Sequence, residues 1–210
     1  MEKTELIQTY LDETLPDAKC SLDFHNPFEC LCAVMLSAQT TDKSVNLVTP
    51  DLFKAFPDAF AMSSADAEEV EQLIHSIGLY RNKAKNLIGI SKALVERFEG
   101  VVPQTKEELT SLPGVGIKTA NVVLAECFNV PAMAVDTHLS RVSKRLALAN
   151  DKDAPEVIEK KLERRFPKDK WIKLHHQMIW FGRIRCKAIS PICEDCKLSG
   201  ICKEFKKKKR

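Results

Sequence analysis

The stretch SLPGVGIKTANVVLAECF, residues 111–128, constrains this chain more tightly than any other part of it. A proline and two glycines within Leu112-Pro113-Gly114-Val115-Gly116 specify a sharp bend without side-chain bulk. The apolar run behind them keeps helical spacing to Cys127, and Pro131 then ends it. The segment predicts a helix that begins at a turn, where free N–H groups and the helix N-terminus can face an anion such as a phosphate. An ordinary interhelical turn has the same composition. One residue breaks the local rule: Lys118 lies in the first helical turn, where the partial positive charge of the helix end disfavours a cation.

Helical periodicity extends over most of the chain. PFECLCAVMLSAQTTDKSVNLVTPDLFKAF holds two candidate helices, and DAEEVEQLIHSI, YRNKAKNLIGISKALVERF and TKEELTSL follow. Beyond the opening motif come DTHLSRVSKRLALA, DAPEVIEKKLERRF and DKWIKLHHQMIWFGRIRC. Helix starts carry suitable chemistry: Asp153 stands just before Pro155, and Thr105 precedes Glu108 in capping-box spacing. With 7 Gly, 2 Tyr, 2 Trp and few β-branched runs, a sheet-rich fold is disfavoured and the chain reads as all-α. Its 210 residues, 44% hydrophobic, suffice for one large or two small cores. IHSIGLYRNKAKNL and LTSLPGVGIKTANV share a faint pattern of helix, glycine-containing turn and a helix opening on a basic residue, a likeness that chance alone could produce.

The opening MEKTELIQTYLDETLP lacks a basic flank followed by an apolar core, so it does not read as a secretory signal. The longest apolar stretch is interrupted by Glu126, which argues against a membrane span and predicts a soluble, cytoplasmic protein. In a reducing compartment, eight cysteines suggest metal ligands or buried thiols rather than disulfides. The net charge of +3 is unevenly spread: from Phe181 to Arg210 ten Lys or Arg face three Asp or Glu, net +7, which leaves −4 for the first 180 residues. A basic C-terminus favours a polyanionic partner, although KKKKR alone reads equally well as a solvated tail.

Two constellations carry chemistry. Ten helical residues after Lys118 advance roughly 15 Å, and an extended return over NVPAMAV covers about 23 Å, enough to bring Asp136 back beside Lys118. Asp136 opens DTHLSRVSKRL and reads as its N-cap. At a helix N-terminus and partly desolvated, a lysine holds more neutral amine, the form that attacks carbon and makes Schiff bases. A carboxylate beside it would serve a developing positive charge or a proton transfer. The second constellation is Cys186, Cys193, Cys196 and Cys202, spaced C-x6-C-x2-C-x5-C, which can wrap one zinc ion or one iron–sulfur cluster. The loop Lys187 to Ile192, with Arg183, Arg185 and Lys197 nearby, can present positive charge to phosphates. Cys20, Cys30, Cys32 and Cys127 lie in apolar contexts and read as buried small hydrophobes.

LPGVGIKTANVVL followed by AVDTHLSRVSKRL resembles the signature of the helix-hairpin-helix base-excision DNA glycosylases, specifically the endonuclease III family. The likeness extends through LSAQTTDKSVN, IGLYRNKAKNL and the C-terminal cysteines. It implies the helix-hairpin-helix glycosylase fold, two helical domains flanking a DNA-binding cleft: residues 20–131 with the hairpin, and 1–19 plus 132–210 with a [4Fe–4S] cluster on the four cysteines. It implies removal of oxidised pyrimidines from duplex DNA and cleavage 3′ to the abasic site by β-elimination, with Lys118 as Schiff-base nucleophile and Asp136 assisting. Gln39 and Leu79 would fill the gap left by the extruded base. The hairpin residues Leu112, Gly114, Val115 and Gly116, with His138, Arg185 and Lys187, would meet the DNA backbone. The implied partner is double-stranded DNA with damaged bases or abasic sites, bound by a monomer working in the cytoplasm, at the nucleoid if bacterial. A monofunctional adenine-mismatch glycosylase shares the cysteine spacing but lacks the lysine at position 118. A hairpin that only grips phosphate would need neither Lys118 nor Asp136.

Overall fold

The computed structural model describes residues 2–208, with the backbone alone for Lys208; Lys209 and Arg210, which close the basic tail, lie outside the described residues. Among the described residues there are helices and no strands, so the chain is all-α as its periodicity predicts. It opens on α1 (Lys3–Thr14). The chain folds into two compact units, Ser21–Val130 and Met1–Cys20 together with Pro131–Arg210.

Ser21–Val130 contains α2 (Pro27–Leu36), α3 (Asp42–Ala55), α4 (Ala59–Ser63), α5 (Ala67–Ile74), α6 (Tyr80–Phe98), α7 (Lys106–Thr110) and α8 (Ile117–Phe128). Helix α2 is apolar on every side apart from Glu29 in its first turn, which suits a buried helix. It runs through the core with Leu31 and Leu36 fully buried, and it packs on α3, α6 and α8. Asn26 caps it, accepting from the Glu29 N–H at 2.9 Å. Pro50 sits inside α3 and is accommodated there. At α7, Thr105 accepts from the Glu108 N–H at 3.2 Å, and its hydroxyl donates to the Glu108 carboxylate at 2.6 Å. The faint sequence likeness corresponds to two similar bends. Leu79 before α6 and Gly114 before α8 fall at matching positions and both have positive φ, 60° and 74°. Ile77 and Leu112, also matched, each donate a backbone N–H three residues back, to Ile74 and Leu109.

The other unit joins α1 to α9 (Thr137–Arg145), α10 (Pro155–Glu163), α11 (Trp171–Ile184) and α12 (Lys203–Lys208). Its core includes Ile7, Leu11, Leu139, Val142, Ile158, Leu162, Leu174 and Met178. Polar ties fix the N-terminal segment on α11: Gln177 donates to Asp12 at 3.0 Å and to the Leu15 carbonyl at 3.2 Å, and the Trp180 indole donates to the Lys19 carbonyl at 2.9 Å. The Tyr10 and Phe181 rings meet edge to face at 6.1 Å.

Some local expectations change. Leu146–Ala149, read with α9, lies outside it: Ala147 takes a left-handed φ of 54°, and the Leu148 N–H turns back to the Ser143 carbonyl. Leu146, Leu148 and Ala149 stay buried, so their apolar pattern records packing rather than helix. A 3₁₀ turn, Lys168–Lys170, replaces the start of the last long predicted helix. Cys30 and Cys32 are buried as expected, with burial pushing the Cys32 thiol well up, whereas Cys20 and Cys127 are only half-buried.

Candidate active site and cysteine centre

The hairpin is built inside Ser21–Val130. After α7, the Val115 N–H donates to the Leu112 carbonyl at 3.2 Å and closes the bend. Leu112 and Val115 are 2% and 6% exposed, so their side chains anchor the turn in the core. Expected among the DNA contacts, they have only backbone to offer, and the Val115 N–H is already used. Gly114 and Gly116 are exposed, and Gly116 stands at the N-cap of α8. At Gly114 the positive φ and the neighbours agree: a Cβ there would come within 3.3 Å of Met35 Cε. Gly114→Ala should therefore cost roughly 1–2 kcal/mol, read as a lower urea midpoint, and should weaken duplex binding more than Gly116→Ala, since a Cβ on Gly116 meets nothing within 4 Å.

Lys118 occupies the second position of α8 and is exposed. The partial desolvation expected from the sequence is not supplied by the chain itself, because the bend points this turn of α8 outward. What the chain supplies is the helix N-terminus beneath the amine.

In the other unit Asp136 is the N-cap of α9, its carboxylate accepting from the Leu139 N–H at 2.7 Å. Half-buried and held by its own helix, it keeps one carboxylate oxygen committed. Two residues on, His138 Nδ1 lies 3.2 Å from an Arg141 guanidinium nitrogen. Burial lowers the His138 pKa, and although Asp136 opposes this, Arg141 and Arg183 add to it. A neutral ring accepting at Nδ1 from Arg141 carries its proton on Nε2. Helix α11 comes this close because position 182 is glycine: a Cβ there would lie 3.0 Å from His138 Cβ.

Cys186, Cys193, Cys196 and Cys202 line one cavity, walled by apolar groups that include Leu146, Phe181 and Ile192. Two arginines bear on it. Arg145 donates to Cys186 Sγ at 3.4 Å and to the carbonyls of Lys187 and Ala188 at 2.6 and 3.1 Å. Arg185 lines the cavity wall, with Nε and one terminal nitrogen buried and without a hydrogen-bond partner. Burial raises the Cys186 pKa and Arg145 opposes the rise. Orphaned cationic donors beside four converging sulfurs fit a centre that carries negative charge and extra acceptor atoms. A [4Fe–4S] cluster with its inorganic sulfides is such a centre, whereas a zinc ion held by four thiolates adds no acceptors of its own.

The structure also shows what surrounds the basic residues of the C-terminal loops. Arg185, expected to meet phosphates, is half-buried and has two of its guanidinium nitrogens buried where it lines the cysteine cavity. Lys197 is held by Glu13 at 2.7 Å. Lys187 remains exposed, on a loop closed by the Ile192 N–H donating to the Arg185 carbonyl at 3.0 Å. Sequence reasoning also missed a groove of about 380 Å³ along α9, lined by Thr137, Ser140, Arg141 and Lys144 with Lys203 and Lys207 of α12, where the cations outnumber the carboxylates Asp151 and Glu204. The i, i+3, i+4, i+7 spacing of those α9 residues was the available signal.

Gln39 and Leu79 both lie in bends of Ser21–Val130, with φ of 55° and 60°. Gln39 is exposed, and Leu79 is 56% exposed. A leucine of that exposure in a strained bend is not a core residue.

Residues 32–168 match the family model described as HhH-GPD superfamily base excision DNA repair protein. The chain belongs to this family. Endonuclease III of Bacillus subtilis (strain 168) is 47% identical over 208 residues, 99% of this chain and 95% of that protein. Endonuclease III of Escherichia coli (strain K12) is 43% identical over 202 residues, 96% and 95% of the two chains. The solved structure of a trapped endonuclease III–DNA covalent intermediate covers 100% of both chains with a TM-score of 0.95 and 47% identity. A thermostable thymine-DNA glycosylase, 22% identical, shares the fold with a TM-score of 0.84 over 98% of this chain and 97% of that one. Within the HhH-GPD superfamily the protein is of the endonuclease III type, a DNA glycosylase and AP lyase of base excision repair. Among the described residues no helix is long and apolar enough to cross a membrane.

Proposed function

We propose that the protein removes oxidised pyrimidines from double-stranded DNA and cleaves 3′ to the resulting abasic site, with Lys118 as the nucleophile. The observation that carries this reading is an exposed lysine in the first turn of α8, directly behind a glycine bend whose backbone is open to a phosphate. The Lys118 amine attacks C1′, the C1′–N bond breaks, and the base leaves with the bonding electrons and takes up a proton. The amine loses its proton, the sugar ring opens, and a Schiff base joins Nζ to C1′. Loss of a C2′ proton then expels the 3′ phosphate, and water releases the lysine. Asp136 stabilises the positive charge that develops at the sugar and takes part in proton transfer. DNA closing over Lys118 supplies the desolvation that the free chain lacks. Gln39 and Leu79 occupy the space of the extruded base, and Gly114, Gly116, His138 and Lys187 contact the backbone, the glycines through N–H groups. Residues 20–131 act as the hairpin domain and 1–19 with 132–210 as the cluster domain of a monomeric enzyme working in the cytoplasm, at the nucleoid if bacterial. The decisive experiment is borohydride trapping on duplex DNA containing thymine glycol. A covalent protein–DNA adduct is expected; its absence alongside normal base release would mark a monofunctional enzyme.

Cys186, Cys193, Cys196 and Cys202 would hold a [4Fe–4S] cluster. Bound there it supplies four covalent ties that fasten the C-terminal loops, a structural service. Arg145 and Arg185 direct their donors toward it, and the basic groove on α9 remains available to phosphates. Purified protein should be yellow-brown and carry about four irons per chain. Cys193→Ser should reduce yield and iron content far more than it alters the rate of the fraction that folds. A colourless, zinc-containing active protein would overturn the assignment.

A further inference from the structure

Lys83 has no part in the chemistry above, yet it is the most deeply buried lysine described, at 6% exposure. Burial lowers its pKa, and its ammonium donates at 2.5 Å to a neutral acceptor, the Thr40 hydroxyl. Among the described residues it pairs with no carboxylate. A buried cation with so little compensation costs stability, so a methionine would suit the site better if packing were its only task. Lys83 falls at the position in the first bend that Lys118 holds in the second, but one points inward and the other outward.

The connections of Lys83 run to two exposed residues. Its backbone N–H donates to the Leu79 carbonyl at 3.0 Å, the first hydrogen bond of α6. Its side chain reaches Thr40, the residue after Gln39, and the Thr40 N–H in turn donates to the Ser37 carbonyl at 3.1 Å at the end of α2. Gln39 and Leu79 both hold left-handed backbones that non-glycine residues adopt only when the surroundings impose them. One residue thus ties together the two bends that present them. We propose that Lys83 is a positioning residue which sets the spacing of Gln39 and Leu79, so that both enter the duplex as a single preformed wedge. This rests on the gap-filling role given to those two residues above.

Two variants break the tie from opposite sides. Lys83→Met removes the ammonium and keeps the apolar stem; Thr40→Val removes the acceptor and keeps the lysine, so the test survives if one variant folds poorly. Each should slow thymine glycol release from duplex DNA by about ten- to a hundred-fold and delay the fluorescence rise of 2-aminopurine placed beside the lesion. Cleavage of an abasic site in single-stranded DNA should stay within two-fold (about 0.4 kcal/mol) of the parent. The double variant should be no slower than the worse single variant, and the melting temperature of Lys83→Met should not fall. Equal losses on duplex and single strand, or parent-like fluorescence kinetics in both variants, would overturn the proposal. A parent protein that releases no base and forms no borohydride adduct would instead overturn the proposed function.

Discussion

Lys118→Gln should abolish borohydride trapping and β-elimination while leaving the fold, iron content and duplex affinity near those of the parent. Lys118 is exposed and in no described contact with the core, so its replacement removes an amine and little packing. Glutamine is a good helix former and carries no charge against the helix N-terminus, so the variant should be slightly more stable, by a few tenths of a kcal/mol. The parent therefore accepts a small stability cost to hold an exposed amine directly behind the glycine bend. Gel analysis of adducts after borohydride, beside a urea melt of the same sample, checks both halves. A trapped adduct forming at the parent rate would mean that another amine is the nucleophile.

Asp136→Asn should lower turnover by about two to four orders of magnitude with little change in melting temperature. The carboxylate caps α9 through the Leu139 N–H, and asparagine caps a helix about as well. The variant therefore separates the charge from the structural duty. Asp136→Ala provides the contrast, because losing the cap should cost a further 0.5–2 kcal/mol of stability, roughly. If the Asn variant keeps parent turnover, the charge at 136 is not needed and the residue serves only as a cap. If it melts as early as the Ala variant, the two duties are not separable. Single-turnover rates on thymine glycol duplexes and thermal melts together distinguish these results.

Much of this molecule was legible from short windows of sequence. The helix Tyr80–Phe98 falls where its periodicity predicts, and the caps at Thr105 and Asp136 are occupied by the residues that propensity selects. These features depend on residues within about four positions of each other, the range of helical hydrogen bonds and side-chain caps. The hairpin, the lysine that defies its helix end and the cysteine spacing were visible for the same reason, since each is a local conflict or a local pattern. The short helices Ala59–Ser63 and Lys203–Lys208 were not, because so few residues carry too little periodicity to be recognised.

Only the tertiary structure decided which cations are offered to a ligand and which are consumed. Arg185 and Lys187 look alike in sequence, yet the first has two guanidinium nitrogens buried at the cysteine cavity and the second is exposed. Lys83 and Lys118 open similar segments, but the first is held by Thr40, 43 residues away, and the second is free to meet solvent. Arg145 reaches carbonyls 41 to 43 residues distant. Leu79 has the composition of a core residue and takes an exposed, left-handed position instead. The sequence alone determined most of the helices, the glycine bend and the chemical groups available. Burial and long-range pairing assigned each charge its task, because the cost of taking a cation out of water depends on partners that no local window contains.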